Sequence, residues 1–220
     1  MILIDASTRW SHVCLFLTRN VAFVILLAQI IKLKTQFPDN LMKTIRLDNA
    51  GDFQSQAFRH YCMSIGITIE HYVPHVSTQN SMAESLIKHI QLITRPLIMG
   101  TKLPTSVYEH AVLHASSIIR YKFTVYHEHS LVQLILGQQP NISHLRIFCC
   151  AVYVLISPPN KTKMSPQQKL KIYVGFNSLS IIKYLEPLTG DLFTAHFADC
   201  HFDEAVFPPL GGDKKPIQKE

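Results

Sequence analysis

Apolar positions along this chain repeat first with alternating periods of two and about 3.6, and after residue 145 with short period-two runs only. Ile2 to Ile4 and Val13 to Leu17 are brief apolar runs separated by polar residues, which predicts a hairpin. Val21 to Phe37 predicts a helix stopped by Pro38. Lys43 to Asp48 follows as a strand, with Ile45 and Leu47 alternating against Thr44 and Arg46. Ser55 to Ser64 then reads as a helix ended by Gly66, and Ile67 to Tyr72 as another strand. Strands and helices mixed in this order predict an α/β domain.

A helical stretch containing Glu84 comes next. At 100° per residue, Lys88, Gln91 and Arg95 fall within about 40° of Glu84, while Met82, Leu86, Ile90, Ile93 and Leu97 gather on the opposite face. Pro96 falls inside this helix, drawn through Leu97, where it removes a backbone bond and clashes with the preceding turn at ~3 kcal/mol or more. A second helix is expected from Leu103-Pro104 to about Lys122, and a short one from Leu131 to Leu136, ended by Gly137. From Leu145 the runs Val152 to Ile156, Ile172 to Phe176, Ile181 to Leu185 and Leu192 to Phe197 predict a small β-barrel, with turns at Pro158-Pro159-Asn160 and Thr189-Gly190-Asp191. Residues 208–220 carry Pro, Gly and Lys without periodicity and read as a disordered tail.

With 220 residues, 47% hydrophobic and 16% charged, the chain has the composition of a folded protein. Its net charge of +6 favours an anionic partner such as nucleic acid. The charge is unevenly spread. His129 to Leu185 holds six basic residues and no acid, whereas Glu186 to Glu204 holds five acids and no Lys or Arg. Five scattered cysteines with no C-x-x-C suit reduced intracellular thiols, in nucleus or cytoplasm, and argue against a disulfide framework or a zinc knuckle. The longest apolar run, Val21 to Leu33, is interrupted by Gln29 and Lys32 and is too short to span a bilayer, so no membrane partner is expected. The twelve histidines show no convincing ligand spacing.

The chemistry concentrates in two acids with 35 intervening residues, Asp48 at a strand end and Glu84 near the start of a helix. Carboxylates so placed can converge on a divalent cation, which needs hard, fixed oxygen ligands. Two such ions stabilise the attacking and leaving oxygens of an in-line phosphoryl displacement. Each acid also has a plainer reading, Asp48 as a turn residue before Asn49-Ala50-Gly51 and Glu84 as a solvated helix residue.

The blocks Leu3-Ile4-Asp5-Ala6-Ser7-Thr8-Arg9, Ile45-Arg46-Leu47-Asp48-Asn49-Ala50-Gly51-Asp52-Phe53 and Gln79-Asn80-Ser81-Met82-Ala83-Glu84 resemble, in order, blocks of the integrase of copia-type long-terminal-repeat retrotransposons. So do the stretch from Gly137 to Phe148 and Tyr173-Val174-Gly175-Phe176. The resemblance runs from about residue 2 to 204. It implies a ribonuclease-H-like core over 1–143 with trailing helices, an SH3-like β-barrel over 144–207, and the tail over 208–220. It also implies two Asp and one Glu binding Mg²⁺ or Mn²⁺ for DNA strand transfer.

Asp48 matches the second acid and Glu84 the third. Asp5 is the candidate for the first, yet its block is the family's second strand, and the first acid lies on the strand before it. The chain therefore resembles an integrase without that strand. Ser81 and Cys149 stand where the family has glycine. The expectation is an integrase fragment, ancestrally a Mg²⁺-dependent strand-transfer enzyme and now an inactive nucleic-acid binder; the alternative is a remnant with no selected role. DNA is the expected partner, with a homo-oligomer open. The contacts expected are Asn80, Lys88 and Arg95 near the acids, and Arg146, Lys161, Lys163, Lys169 and Lys171 in the basic segment.

Overall fold

The computed structural model describes residues 1–18, 21–47, 56–71, 81–101, 103, 107–124, 127–156 and 166–211. The chain divides into two units, Met1–Asp5 with Ser11–Ile87, and Ala6–Trp10 with Lys88–Glu220. That division lies inside a helix, between Ile87 and Lys88. The helix over 108–121 belongs with the strands that follow it because it shares a core with them.

In the first unit, β1 (Ile2–Ile4) pairs antiparallel with β2 (Ser11–Val13), Ile2 opposite Val13. The second strand forms earlier than the apolar run suggested, because pairing with Met1–Ile4 sets its register and Leu17 stays exposed. Helix α1 (Ala22–Gln36) ends before Pro38, as expected, and buries Ala22, Leu26 and Ile30 at helical spacing. Strand β3 (Thr44–Leu47), helix α2 (Gln56–Ser64) and strand β4 (Thr68–His71) make a parallel pair with a helical crossover. Gly66, at φ +73°, supplies the left-handed residue after α2. Leu26, Ile30, Ile45, Leu47, Phe58, Cys62 and Ile67 form one core, with Met1, Leu3 and Ile69 packed on it. Among the described residues, β1–β2 and β3–β4 are separate two-stranded ladders around that shared core.

Helix α3 (Ser81–Met99) contains Pro96, as drawn from the sequence, and runs two residues beyond the Leu97 drawn there. The carbonyl that loses its partner belongs to Leu92, an exposed residue, so water can satisfy it. Beyond the proline, Leu97 and Ile98 pack on an apolar core, which offsets the broken bond. Ser81 is the first residue of α3 and has no positive φ, so the substitution for glycine is not strained there.

The second unit adds α4 (Tyr108–Tyr121), the short pair β5 (Phe123–Thr124) and β6 (His127–Ser130), and α5 (Leu131–Leu136). The last is set by its caps. Ser130 Oγ accepts from the Gln133 N–H at 3.2 Å, and Gly137 adopts φ 70° with its N–H donating to Gln133 O. Ser130→Ala should therefore cost about 1 kcal/mol, read as a lower urea midpoint at unchanged m-value.

Five antiparallel strands follow in the order β10-β9-β8-β7-β11, with β7 Ala151–Leu155, β8 Gln168–Ser178, β9 Ile181–Leu185, β10 Leu192–His196 and β11 Cys200–Asp203. A 3-10 turn at Phe197–Asp199 joins the last two. The fold is thus mixed α/β with a five-stranded antiparallel sheet. Strand β8 is covered on both faces. Ile172 and Val174 pack with Leu103, Val107 and Ala111, while Tyr173 packs with Val152 and Ile182. Cys149, buried at φ 65°, occupies the kind of position that favours glycine, consistent with the residue the resemblance expects there.

Candidate nucleic-acid interface

Glu84 lies in the first turn of α3 and is exposed, where its carboxylate complements the positive end of the helix dipole. Lys88, Gln91 and Arg95 are exposed along the same helix, and Ile90 and Thr94 are its buried residues. The polar stripe expected from the wheel is present. Asp48, the other matched acid, lies outside the described residues, as do Asn80, Lys161 and Lys163. Asp5 is exposed, immediately after β1.

Glu84 offers the hard oxygen a divalent cation takes. No group of three or more His, Cys, Asp or Glu side chains among the described residues is placed to hold a metal ion. The described residues alone therefore do not make a Mg²⁺ site.

The basic segment divides by burial. Lys169 is exposed on β8. Lys171, two residues on, is only 7% exposed and ion-paired with Glu186. Arg146 is also engaged internally. Its guanidinium lies 5.0 Å from the centroids of both Phe197 and Phe202, donates to Ser143 O and Leu145 O, and stands 3.4 Å from Glu204. Such stacking and forked hydrogen bonding is what a planar guanidinium does well and an ammonium does not. Of these three cations, Lys169 presents its charge outward, while the other two are neutralised within the fold.

The structure also brings together residues that the sequence left unremarked. His110 and His114, one turn apart on α4, are both buried and both line a recess against β8. Their i, i+4 spacing was the available signal. No helix among the described residues is long and apolar enough to cross a membrane.

No protein-family model matches the chain. It is 28% identical over 136 residues, 61% of its length, to the retrovirus-related Pol polyprotein from transposon TNT 1-94 of Nicotiana tabacum. It is 29% identical over 167 residues, 75% of its length, to that from transposon RE2 of Arabidopsis thaliana. It spans about a tenth of the length of each of these relatives. Among solved structures, the simian T-cell lymphotropic virus intasome in complex with PP2A regulatory subunit B56 gamma aligns with a TM-score of 0.49 and 15% identity, covering 91% of this chain and 70% of that one. In sequence, the chain is similar to a stretch of the retrovirus-related Pol polyproteins of two plant transposons.

Proposed function

We propose that the chain is an integrase-derived nucleic-acid-binding segment of copia type, with a ribonuclease-H-like first part and an SH3-like second part. The observation that carries the assignment is the sequence similarity to retrotransposon Pol polyproteins. The antiparallel β1–β2 pair followed by a β-α-β crossover supports the first part. The strand order β10-β9-β8-β7-β11, with a 3-10 turn before the last strand, supports the second. The ancestral reaction is Mg²⁺-dependent DNA strand transfer, with Asp48 and Glu84 as metal ligands. These 220 residues by themselves are expected not to join DNA strands, because only two acids match a site that needs three.

The contacts to DNA are to phosphate, through exposed lysines, and so carry no base information. Binding of labelled duplexes of different sequence, read by anisotropy, should be equal among sequences and should fall steeply between about 50 and 200 mM salt. Lys169→Glu should weaken every duplex alike and flatten the logarithmic salt slope by about one unit. Binding that ignores salt, or that selects a sequence, contradicts this reading. No binding at low salt would favour the remnant without a selected role.

A further inference from the structure

Helix α4 turns His110, His114 and Ser117 toward one recess, at positions i, i+4 and i+7. The opposite wall is made by an irregularity in the sheet. The β8–β9 register shifts between Tyr173 and Gly175, and Gly175 sits at φ +137° with nothing within 4 Å of where a Cβ would be. Only glycine adopts that backbone readily, and its missing side chain leaves the recess open. Lys183, the register partner of Gly175 on β9, completes the wall. The recess is small and partly open to solvent.

Its polar groups are under-used. His114 is 5% exposed and His110 8%, and the Nδ1 atom of each has no hydrogen-bond partner among the described residues. Two such imidazoles call for an explanation, since buried polar atoms are as a rule paired. Lys183 is half-buried and forms no ion pair with a described carboxylate. Glu109 lies 3.6 Å from His110 Nε2, but it is largely exposed and is not among the residues lining the recess. The lining thus holds one ammonium, two imidazoles and no carboxylate. An ammonium repels a divalent metal and attracts an oxyanion, and a neutral imidazole N–H can donate to its oxygens, whereas the Ser117 hydroxyl already donates to Leu113 O at 3.0 Å.

We propose that the α4–β8 recess is an oxyanion site for a single phosphate group, held by Lys183 as the charge partner with His110 and His114 as hydrogen-bond donors. The site lies within the second unit and does not depend on the reading of the Glu84 helix or of Lys169. Free phosphate and a phosphate at the end of a nucleic-acid strand share this chemistry.

The test is a titration of the full chain with inorganic phosphate, followed by the imidazole NMR signals, with sodium chloride at matched ionic strength as control. The His110 and His114 signals should shift saturably with phosphate alone, while exposed His201 stays put. Lys183→Gln, at a half-exposed position that leaves the core intact, should weaken the binding about tenfold, the loss of one charge-assisted hydrogen bond. Competition by a 5′-phosphorylated oligonucleotide, and not by its unphosphorylated form, assigns the occupant to a strand end; no competition by either assigns it to free phosphate. Equal shifts in chloride overturn the proposal. So does phosphate binding that Lys183→Gln leaves unchanged, or saturable Zn²⁺ binding at the two histidines with no phosphate response.

Discussion

Lys171→Glu should destabilise the second unit by about 3–5 kcal/mol, while Lys169→Glu should leave its stability within about 0.5 kcal/mol of the parent. The two lysines are two residues apart on β8 and look alike in sequence, but the first is buried beside Glu186 and the second is exposed. The change puts a carboxylate at a buried site beside Glu186, which is itself 27% exposed; breaking a buried pair costs about 3–5 kcal/mol, and the second carboxylate adds repulsion. Against a typical domain stability of about 5–15 kcal/mol, that loss is a large fraction. The chain has a single tryptophan, Trp10, which belongs to the second unit and carries the Arg120 guanidinium 5.0 Å from its ring. Trp10 fluorescence during urea unfolding therefore reads the effect. A native transition for Lys171→Glu would mean that the pair is not buried in solution. The practical consequence is that lost DNA binding in a Lys171 variant says nothing about phosphate contact, whereas the same loss at Lys169 does.

Acid should destabilise the second unit well above the pH at which its carboxylates titrate. Burial lowers His114 from 6.5 to about 4, with its ring 5.3 Å from that of Phe148 and 6.1 Å from that of Tyr173. Burial also lowers His110, an effect that Glu109 opposes and Lys183 reinforces, and it lowers His144. A depressed histidine stays neutral in the folded chain while the unfolded chain takes up a proton. Stability is therefore full above about pH 6.5, falls as the pH drops toward 4, and levels off below that. For His114 the loss is on the order of 3 kcal/mol. Unfolding midpoints measured across this range in a phosphate-free buffer should show the decline. His114→Phe, which keeps an aromatic ring between Phe148 and Tyr173, should flatten it. A decline of the same size in that variant would assign the acid sensitivity elsewhere.

What the sequence revealed was what local rules decide. Helix α5 was readable to the residue because Ser130 caps one end and Gly137 the other. The polar stripe of α3 was readable because 3.6-residue periodicity is a property of the helix itself. Strand β11 was missed because Cys200–Asp203 is only four residues long, so that Cys200 and Phe202 alternating with His201 and Asp203 make a weak signal, and its register comes from pairing with distant β7. The β5–β6 pair was missed because Phe123–Thr124 and His127–Ser130 are too short and too polar to show a period. Lys171 misled in a different way. Alternation assigns residues to the two faces of a strand, but it does not tell that both faces of β8 are covered, one by α4 and the other by the sheet's own interior. Burial of both faces also hid the α4 recess, whose histidines lie far in sequence from Gly175 and Lys183. Of the matched acids, Glu84 fell on the helix turn expected for it, and Asp48 lies outside the described residues.

The two separate ladders of the first unit bear on cooperativity. A three-residue antiparallel pair and a four-residue parallel pair hold few hydrogen bonds each, and two strands alone are marginal in water. Helices α1 and α2 and the shared core must supply what the ladders do not. Strand β8, by contrast, is bonded along both sides, to β7 and to β9. Opening of the first unit can then precede loss of the second, as independently stable regions of one chain commonly do. A single melting temperature would not describe such a chain. Trp10 would follow only the later step, and far-ultraviolet dichroism, which sees every helix, would record both.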